Sequence, residues 1–384
     1  MNKHKPIIAS ILFSLAFLLV ILFPIQAQDY QPVRCSKSLP YEGKPLYRNP
    51  IDLPKTNFSF NNTFEPETIA RLDSAFGQAL ELTQASVITA AIATPEGFWE
   101  TTRKADDSPS SLRLYWASVG KTLTATAIVQ LVEEGKLSLN DPLSQWLPDF
   151  PNASSITIDH LLQHTGGIFS FNEASEVREN SRYYSPTDAI ALSADRGAMF
   201  CPGQFWRYSN TGYTLLGQII ERLEGRPYAD VVNQRISDRL DLATLRSLTV
   251  GREPSDIAPL FPPEGTKAIA PSWPYAAGNA IASAADMVRF WHALLTGQLL
   301  QPESVASLFE ELYPMFDDGT FYGRGVMLYA LPDGKIWLGH SGGTPGAKAV
   351  VAFSPSDRAF VAVALTGDGS AEATANLLLQ QLKS

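Results

Sequence analysis

Apolar residues recur three and four apart at Ile69, Leu72, Phe76, Ala79 and Leu80, which predicts a helix over residues 66–83 with proline in its first turn. Two β-rich runs follow, 86–94 and 98–103. Pro95-Glu96-Gly97 between them predicts a hairpin. A small-residue turn at 115–118 then opens into a helix that Gly135 ends, with Val119, Leu123, Ala127, Ile128, Leu131 and Val132 on its apolar face. From 137 to about 246 the pattern is helical and loop-rich, with helices expected over 157–164, 186–195, 212–223 and 227–240. A further helix over 283–295 opens with Ser283-Ala284-Ala285-Asp286 in capping-box spacing. The pattern returns to strands at 325–329, 335–340, 347–353 and 359–366, and a helix over 371–382 closes the chain. Strands at both ends with helices between them predict an α/β (α+β) fold. One sheet is assembled from both ends of the chain, and a helical lobe at roughly 137–246 is inserted into it.

The N-terminus changes the picture of location. Lys3, His4 and Lys5 precede an apolar run over 7–23, Pro24 breaks it, and Ile25-Gln26-Ala27 follows. This is the pattern of a signal peptide over 1–27 cleaved after Ala27, with an uncleaved membrane anchor as the alternative. Either form predicts an exported body, periplasmic or extracellular, with no stable membrane insertion if the signal is cleaved. Residues 28–62 lack periodicity and read as an extension; organised structure is expected over 63–384.

With 384 residues, 45% hydrophobic and 18% charged, the chain can build one large domain or two lobes. Removal of 1–27 takes away Lys3 and Lys5 and no acid, moving the formal charge from −9 to −11. That surface argues against nucleic acid and against adhesion to anionic lipid. Cys35 and Cys201 suit neither a zinc cluster nor a C-x-x-C redox pair. In an oxidising compartment they could pair; otherwise they are two separate thiols.

Chemistry concentrates at few places. Ser118 and Lys121 stand one helical turn apart at the head of the 115–135 stretch, where free N–H groups favour negative charge and the amine can relay a proton. About one Ser-x-x-Lys is expected by chance in a chain this rich in serine, so the context decides. Gly339-His340-Ser341-Gly342-Gly343 imitates a nucleophile elbow, but a strand rather than a helix follows it and no histidine lies downstream. Gly120-Lys121-Thr122 imitates the tail of a phosphate loop, yet Tyr115 stands where the loop needs glycine. His160 and His164, four apart, lack a third ligand and read as structural. Tyr208-Ser209-Asn210 breaks an apolar neighbourhood and is expected to face a cleft, unlike Tyr47-Arg48-Asn49 in the irregular extension.

Taken together, Ser118-Val119-Gly120-Lys121, Tyr208-Ser209-Asn210 and His340-Ser341-Gly342 resemble the motifs of the penicillin-recognising serine hydrolases. The resemblance is to the branch holding class C β-lactamases, serine D-alanyl-D-alanine carboxypeptidases and related esterases. Residues 139–151, 156–168, 201–221 and 339–350 are similar to that family's signatures, and the likeness runs from about Thr63 to the end.

The resemblance implies a mainly antiparallel sheet flanked by helices, with the site between sheet and lobe, and no cofactor or metal. It implies a Ser118 acyl-enzyme, Lys121 and Tyr208 sharing the proton work, and Asn210, His340, Ser341 and Gly342 binding substrate. The backbone N–H groups of Ser118 and Gly343 would hold the oxyanion. Neither Lys121 nor Tyr208 is singled out as the base, because each holds its proton at neutral pH unless a charge or burial shifts it. The glycine pair 342–343 is expected to leave room for substrate backbone. The implied substrate is a small molecule or peptide: a cell-wall peptide, an ester or a β-lactam. One departure bears on that choice, since class C β-lactamases generally carry lysine where this chain has His340. A largely neutral imidazole favours peptidase or esterase over β-lactamase.

Overall fold

The computed structural model describes residues 31–54, 58, 60–180, 182–316 and 319–382. The expected signal or anchor over 1–27 lies outside them. Among the described residues no helix is long and apolar enough to cross a membrane.

Helix α1 (Pro66–Thr83) precedes the hairpin β1 (Val87–Ala93) and β2 (Phe98–Lys104), and strand β3 (Leu114–Ala117) leads into α2 (Gly120–Glu133). The helical lobe holds α3 (Ile158–Leu162), α4 (Ser175–Glu179), α5 (Pro186–Arg196), α6 (Asn210–Glu224) and α7 (Tyr228–Val232). Next come the short strands β4 (Arg246–Ser247) and β5 (Ala280–Ala282), then α8 (Ala284–Leu295) and α9 (Pro302–Ser307). The chain closes with β6 (Tyr313–Pro314), β7 (Thr320–Tyr322), β8 (Met327–Ala330), β9 (Ile336–Thr344), β10 (Ala347–Ser354), β11 (Ala359–Thr366) and α10 (Ala371–Gln380).

Among the described residues the main sheet has eight strands in the order β2-β1-β11-β10-β9-β8-β7-β6, with β1 beside β11 as the expected closure of both chain ends. Its paired strands are antiparallel. Alternation of side chains assigns the two faces. Ile88, Ile92, Val350, Val361 and Val363 pack with Leu72, Phe76 and Leu378 of α1 and α10. Ala91, Val351, Ala362 and Ala364 join Val288 and Trp291 of α8 and the interior of the lobe.

Two expectations change, and one feature was not foreseen. Helix α2 is not amphipathic: every residue from Gly120 to Leu131 is buried. Its polar side chains bond locally, Thr122 to the Gly325 carbonyl at 2.7 Å and Thr124 to the Ala276 carbonyl at 2.6 Å, so a helix with threonines on all sides can sit in the core. The helix expected over 227–240 is α7 followed by a π-helical turn over Asn233–Asp238. A small sheet ordered β3-β5-β4 was not legible, its strands being two to four residues long.

The extension runs against the lobe. Val33, Leu39 and Glu42 donate backbone hydrogen bonds to the carbonyls of Ala198, Pro202 and Gln204 at 2.9, 2.8 and 2.8 Å. Cys35 and Cys201 are joined as a disulfide beside these bonds.

Candidate active site

Ser118 lies in the turn between β3 and α2, two residues before the first helical residue, whereas the sequence had placed it at the helix start. The turn is fixed by backbone. Ala117 takes a left-handed conformation at φ 45°, uncommon for a residue with a Cβ. The Tyr115 hydroxyl donates to the Gly278 carbonyl at 2.7 Å and the Trp116 indole to the Ala282 carbonyl at 3.1 Å, tying β3 to β5 on one side. On the other side β9 presses in at Gly342, where an added Cβ would fall 2.3 Å from the Trp116 carbonyl oxygen and 2.7 Å from the Ser118 nitrogen. The expected reason for glycine there is therefore corrected. Gly342 makes room for the protein's own backbone, whereas exposed Gly343 would meet only the Lys348 side chain, at 3.3 Å.

Lys121, in the first turn of α2, is wholly buried. Its Nζ is 2.6 Å from the Ala277 carbonyl, 2.7 Å from Asn210 Oδ1 and 3.3 Å from Ser118 Oγ. It also lies 4.8 Å from the centre of the Tyr208 ring. Burial holds the amine well below the ordinary lysine value of 10.5. In the neutral form its two hydrogens satisfy the two short acceptors, which leaves the lone pair for the Ser118 hydroxyl.

The other wall is the 203–210 segment. Tyr208 bonds through its hydroxyl to Ser118; burial of that end raises its pKa, and the bond to Ser118 offsets this in part. Asn210 opens α6, capped by the Ser209 hydroxyl on the Gly212 N–H at 3.3 Å. Its own N–H donates to Ser170 Oγ and its side-chain amide to Asn172 Oδ1, both at 2.8 Å.

Strand β9 extends past the expected end at 340 to Thr344, and β8 pairs with it only as far as Gly339. His340 is fully buried, with Nδ1 2.7 Å from the Ser341 carbonyl and Nε2 3.2 Å from the Tyr322 hydroxyl. Burial, with Lys121 adding to it, brings its pKa down to about 3, so it carries no charge at neutral pH. Ser341 points to the opposite face from Gly342, where it pairs in register with Val350 and bonds to the Glu372 carboxyl of α10. The structure thus brings Ser118, Lys121, Tyr208, Asn210, His340 and Gly342 together and turns the Ser341 side chain away from them.

His160 and His164 do not converge. The His160 Nδ1 accepts the Thr157 N–H at 3.1 Å and the His164 Nδ1 accepts the Ser209 N–H at 3.2 Å. Among the described residues no group of His, Cys, Asp and Glu is arranged to hold a metal ion. Sequence reading missed the Ala277 carbonyl, Ser170, Asn172 and Tyr322. A backbone carbonyl leaves no residue signal, although Gly278 beside it, at φ 152° and against the Ala117 carbonyl, marks a close approach.

A hydroxyl beside a desolvated amine, a second hydroxyl and a strand end partnered on one edge form an arrangement suited to acyl transfer. The chain belongs to the Beta-lactamase family, whose description matches residues 104–383. Members of that family are serine hydrolases. PbpX of Bacillus subtilis (strain 168), named as a penicillin-binding protein, is 32% identical over 277 residues, covering 70% of this chain and 66% of PbpX. Penicillin-binding protein 4 of Amycolatopsis lactamdurans is 30% identical over 298 residues, 69% of this chain and 74% of the relative. The chain therefore spans about two thirds to three quarters of these relatives' lengths. Among solved structures, a D-stereospecific amidohydrolase from Streptomyces sp. superposes with a TM-score of 0.71 at 26% identity, covering 80% of this chain and 97% of that one.

Proposed function

We propose that the protein is an exported hydrolase that cleaves a D-configured amide or an ester, with D-alanyl-D-alanine peptides ranked next, through an acyl-enzyme on Ser118. The observation that carries this reading is the Lys121 amine, buried, held by Ala277 and Asn210 and within 3.3 Å of Ser118 Oγ. Neutral Lys121 takes the proton of Ser118 as Oγ bonds to the substrate carbonyl carbon. The N–H groups of Ser118 and Gly343 receive the oxyanion. Tyr208, protonated because its pKa is raised, donates to the leaving nitrogen or oxygen as that bond breaks, and the Lys121 ammonium restores its proton. Water then attacks the acyl-enzyme by the reverse route and frees the acid.

His340 without charge supports a substrate lacking a carboxylate at that point, which favours an amide or ester over a β-lactam or a peptide ending in a free D-alanine carboxylate. The likeness to a D-stereospecific amidohydrolase supports an amide. The Cys35–Cys201 disulfide supports an oxidising, exported location. A non-catalytic binder that kept the fold is disfavoured by the intact Ser118, Lys121, Tyr208 and Asn210. The test is a panel of D-phenylalanine amide, a D-Ala-D-Ala peptide, p-nitrophenyl butyrate and nitrocefin. Turnover of amide or ester above nitrocefin, lost in Ser118→Ala, is expected. Turnover of none of them, or full turnover in Ser118→Ala, overturns the reading.

A further inference from the structure

Tyr208 reaches the site from a segment without regular structure that leads into Asn210 at the start of α6, so something outside that segment must hold it in place. Three backbone groups of that segment are fastened to one short stretch after α3. The Gly203 N–H donates to the Thr165 carbonyl at 2.8 Å, the Arg207 N–H to the His164 carbonyl at 3.0 Å, and the Ser209 N–H to His164 Nδ1 at 3.2 Å. The last bond falls on the residue between Tyr208 and Asn210.

His164 is 2% exposed, and its ring lies against Tyr208 with centroids 4.3 Å apart at 38°. Tyr322 at 4.5 Å and Tyr213 at 5.1 Å also pack on the imidazole. Three demands meet at this position. The backbone is left-handed, at φ 61°. An acceptor is needed where Nδ1 stands. A flat ring is needed against Tyr208. Asparagine meets the first two and phenylalanine only the third, since asparagine tolerates left-handed backbone and its Oδ1 can replace Nδ1.

Acceptance at Nδ1 places the proton on Nε2, which has no hydrogen-bond partner among the described residues. Among the described residues the ring's only polar bond is thus the one to Ser209. Protonation would set an N–H against the Ser209 N–H, and burial, with Lys121 and His340, disfavours the charged form.

We infer that His164 is a positioning residue for the hydrolysis proposed above: its Nδ1 and ring hold Tyr208 and Asn210 in register with Ser118 and Lys121, without touching substrate. The inference rests on that reading for its kinetic arm alone. Misplacing catalytic groups by about an ångström costs on the order of 10²-fold in rate. His164→Phe is therefore expected to lower kcat about 10–100-fold with KM within about threefold, and His164→Asn to recover most of the loss. A folded His164→Phe with kcat within twofold of the parent overturns the inference.

The second arm needs no turnover. Nitrogen-15 spectra of histidine-labelled parent protein at pH 7 are expected to show His164 as the Nε2–H tautomer. His164→Phe should shift the amide resonances of Ser209 and Asn210. An Nδ1–H tautomer or an imidazolium in the parent overturns the inference even if His164→Phe is too unstable for kinetics, and unshifted amides in folded His164→Phe overturn it as well. A parent protein without a Ser118 adduct would sink the hydrolase reading, and the spectra would still decide the role of His164.

Discussion

The two walls of the site are held in place by different means. On the Ser118 wall the closest constraints are backbone: the left-handed Ala117, the close approach of Gly278 and the strand β9 pressed against Ser118 at Gly342, with the Tyr115 hydroxyl and Trp116 indole tying the same turn to carbonyls across from it. On the Tyr208 wall two backbone bonds to His164 and Thr165 are joined by side chains and a cross-link: the His164 ring, the Ser170 hydroxyl on the Asn210 N–H, and the disulfide that ties the 31–54 extension beside Cys201. A backbone clasp is all-or-none, because any Cβ at Gly342 displaces the turn that carries Ser118. A side-chain clasp is graded and can be loosened in steps. Lys121 spans the two, bonded to Ser118 on one and Asn210 on the other.

The largest effect is expected where the walls meet. Lys121→Met removes the amine while keeping a buried unbranched chain, and the rate of adduct formation in stopped-flow should fall about 10²–10⁴-fold, the range for losing a general base. The folded state should change little in stability, because relief of the desolvated amine is offset by loss of the donor to the Ala277 carbonyl and Asn210 Oδ1. Unchanged acylation would detach Lys121 from the chemistry.

Breaking the backbone clasp comes next. Gly342→Ala should lower kcat about 10²–10³-fold through displacement of the Ser118 N–H, and lower stability by about 1–3 kcal/mol. Gly343→Ala, exposed and with a flexible lysine as its nearest neighbour, should change the melting temperature little. Equal melting temperatures for the two variants would contradict the difference assigned to these glycines.

Loosening the cross-linked wall should do less to rate than to stability. Cys35→Ser is expected to cost about 2–4 kcal/mol in urea unfolding, as removal of a long-range disulfide does, while kcat falls only severalfold. A loss of activity without a loss of stability would reverse that order.

The smallest effect is one of pH. Burial holds His340 at about 3 and His292 at about 4, against an ordinary 6.5. As pH falls through 6.5 the unfolded chain binds protons that the folded chain refuses. Stability is therefore full above about pH 6.5 and declines toward pH 4. His292→Gln, at a residue whose Nε2 accepts the Phe58 N–H and whose ring packs against Phe58, Phe60 and Phe360, should flatten part of that slope in unfolding midpoints measured at pH 7 and pH 5. An unchanged slope would remove His292 from the explanation.

The same contrast explains what the sequence disclosed. The Ser118–Lys121 spacing, the polar Tyr208–Asn210 trio and the 340–343 run are side-chain patterns, and the structure gathers their residues except for the Ser341 hydroxyl, which faces α10. The strands that close the main sheet were legible because each is an unbroken β-rich run between turns. Strands β3, β4 and β5 are too short for any period to show. Helix α2 misled because its threonines satisfy themselves on nearby carbonyls, so polar positions did not mark a solvent face. The Ala277 carbonyl carries no residue code at all, and His164 read only as a structural histidine until its ring was found against Tyr208.

Ser118 as the nucleophile is tested most directly by trapping. The protein is treated with a fluorophosphonate probe or labelled penicillin, and the modified peptide is located by mass spectrometry. Ser118 as the nucleophile predicts a single adduct on the peptide holding Ser118, absent after Ser118→Ala and slowed after Lys121→Met. An adduct on Ser341 or on any other residue, or one that persists in Ser118→Ala, would contradict it.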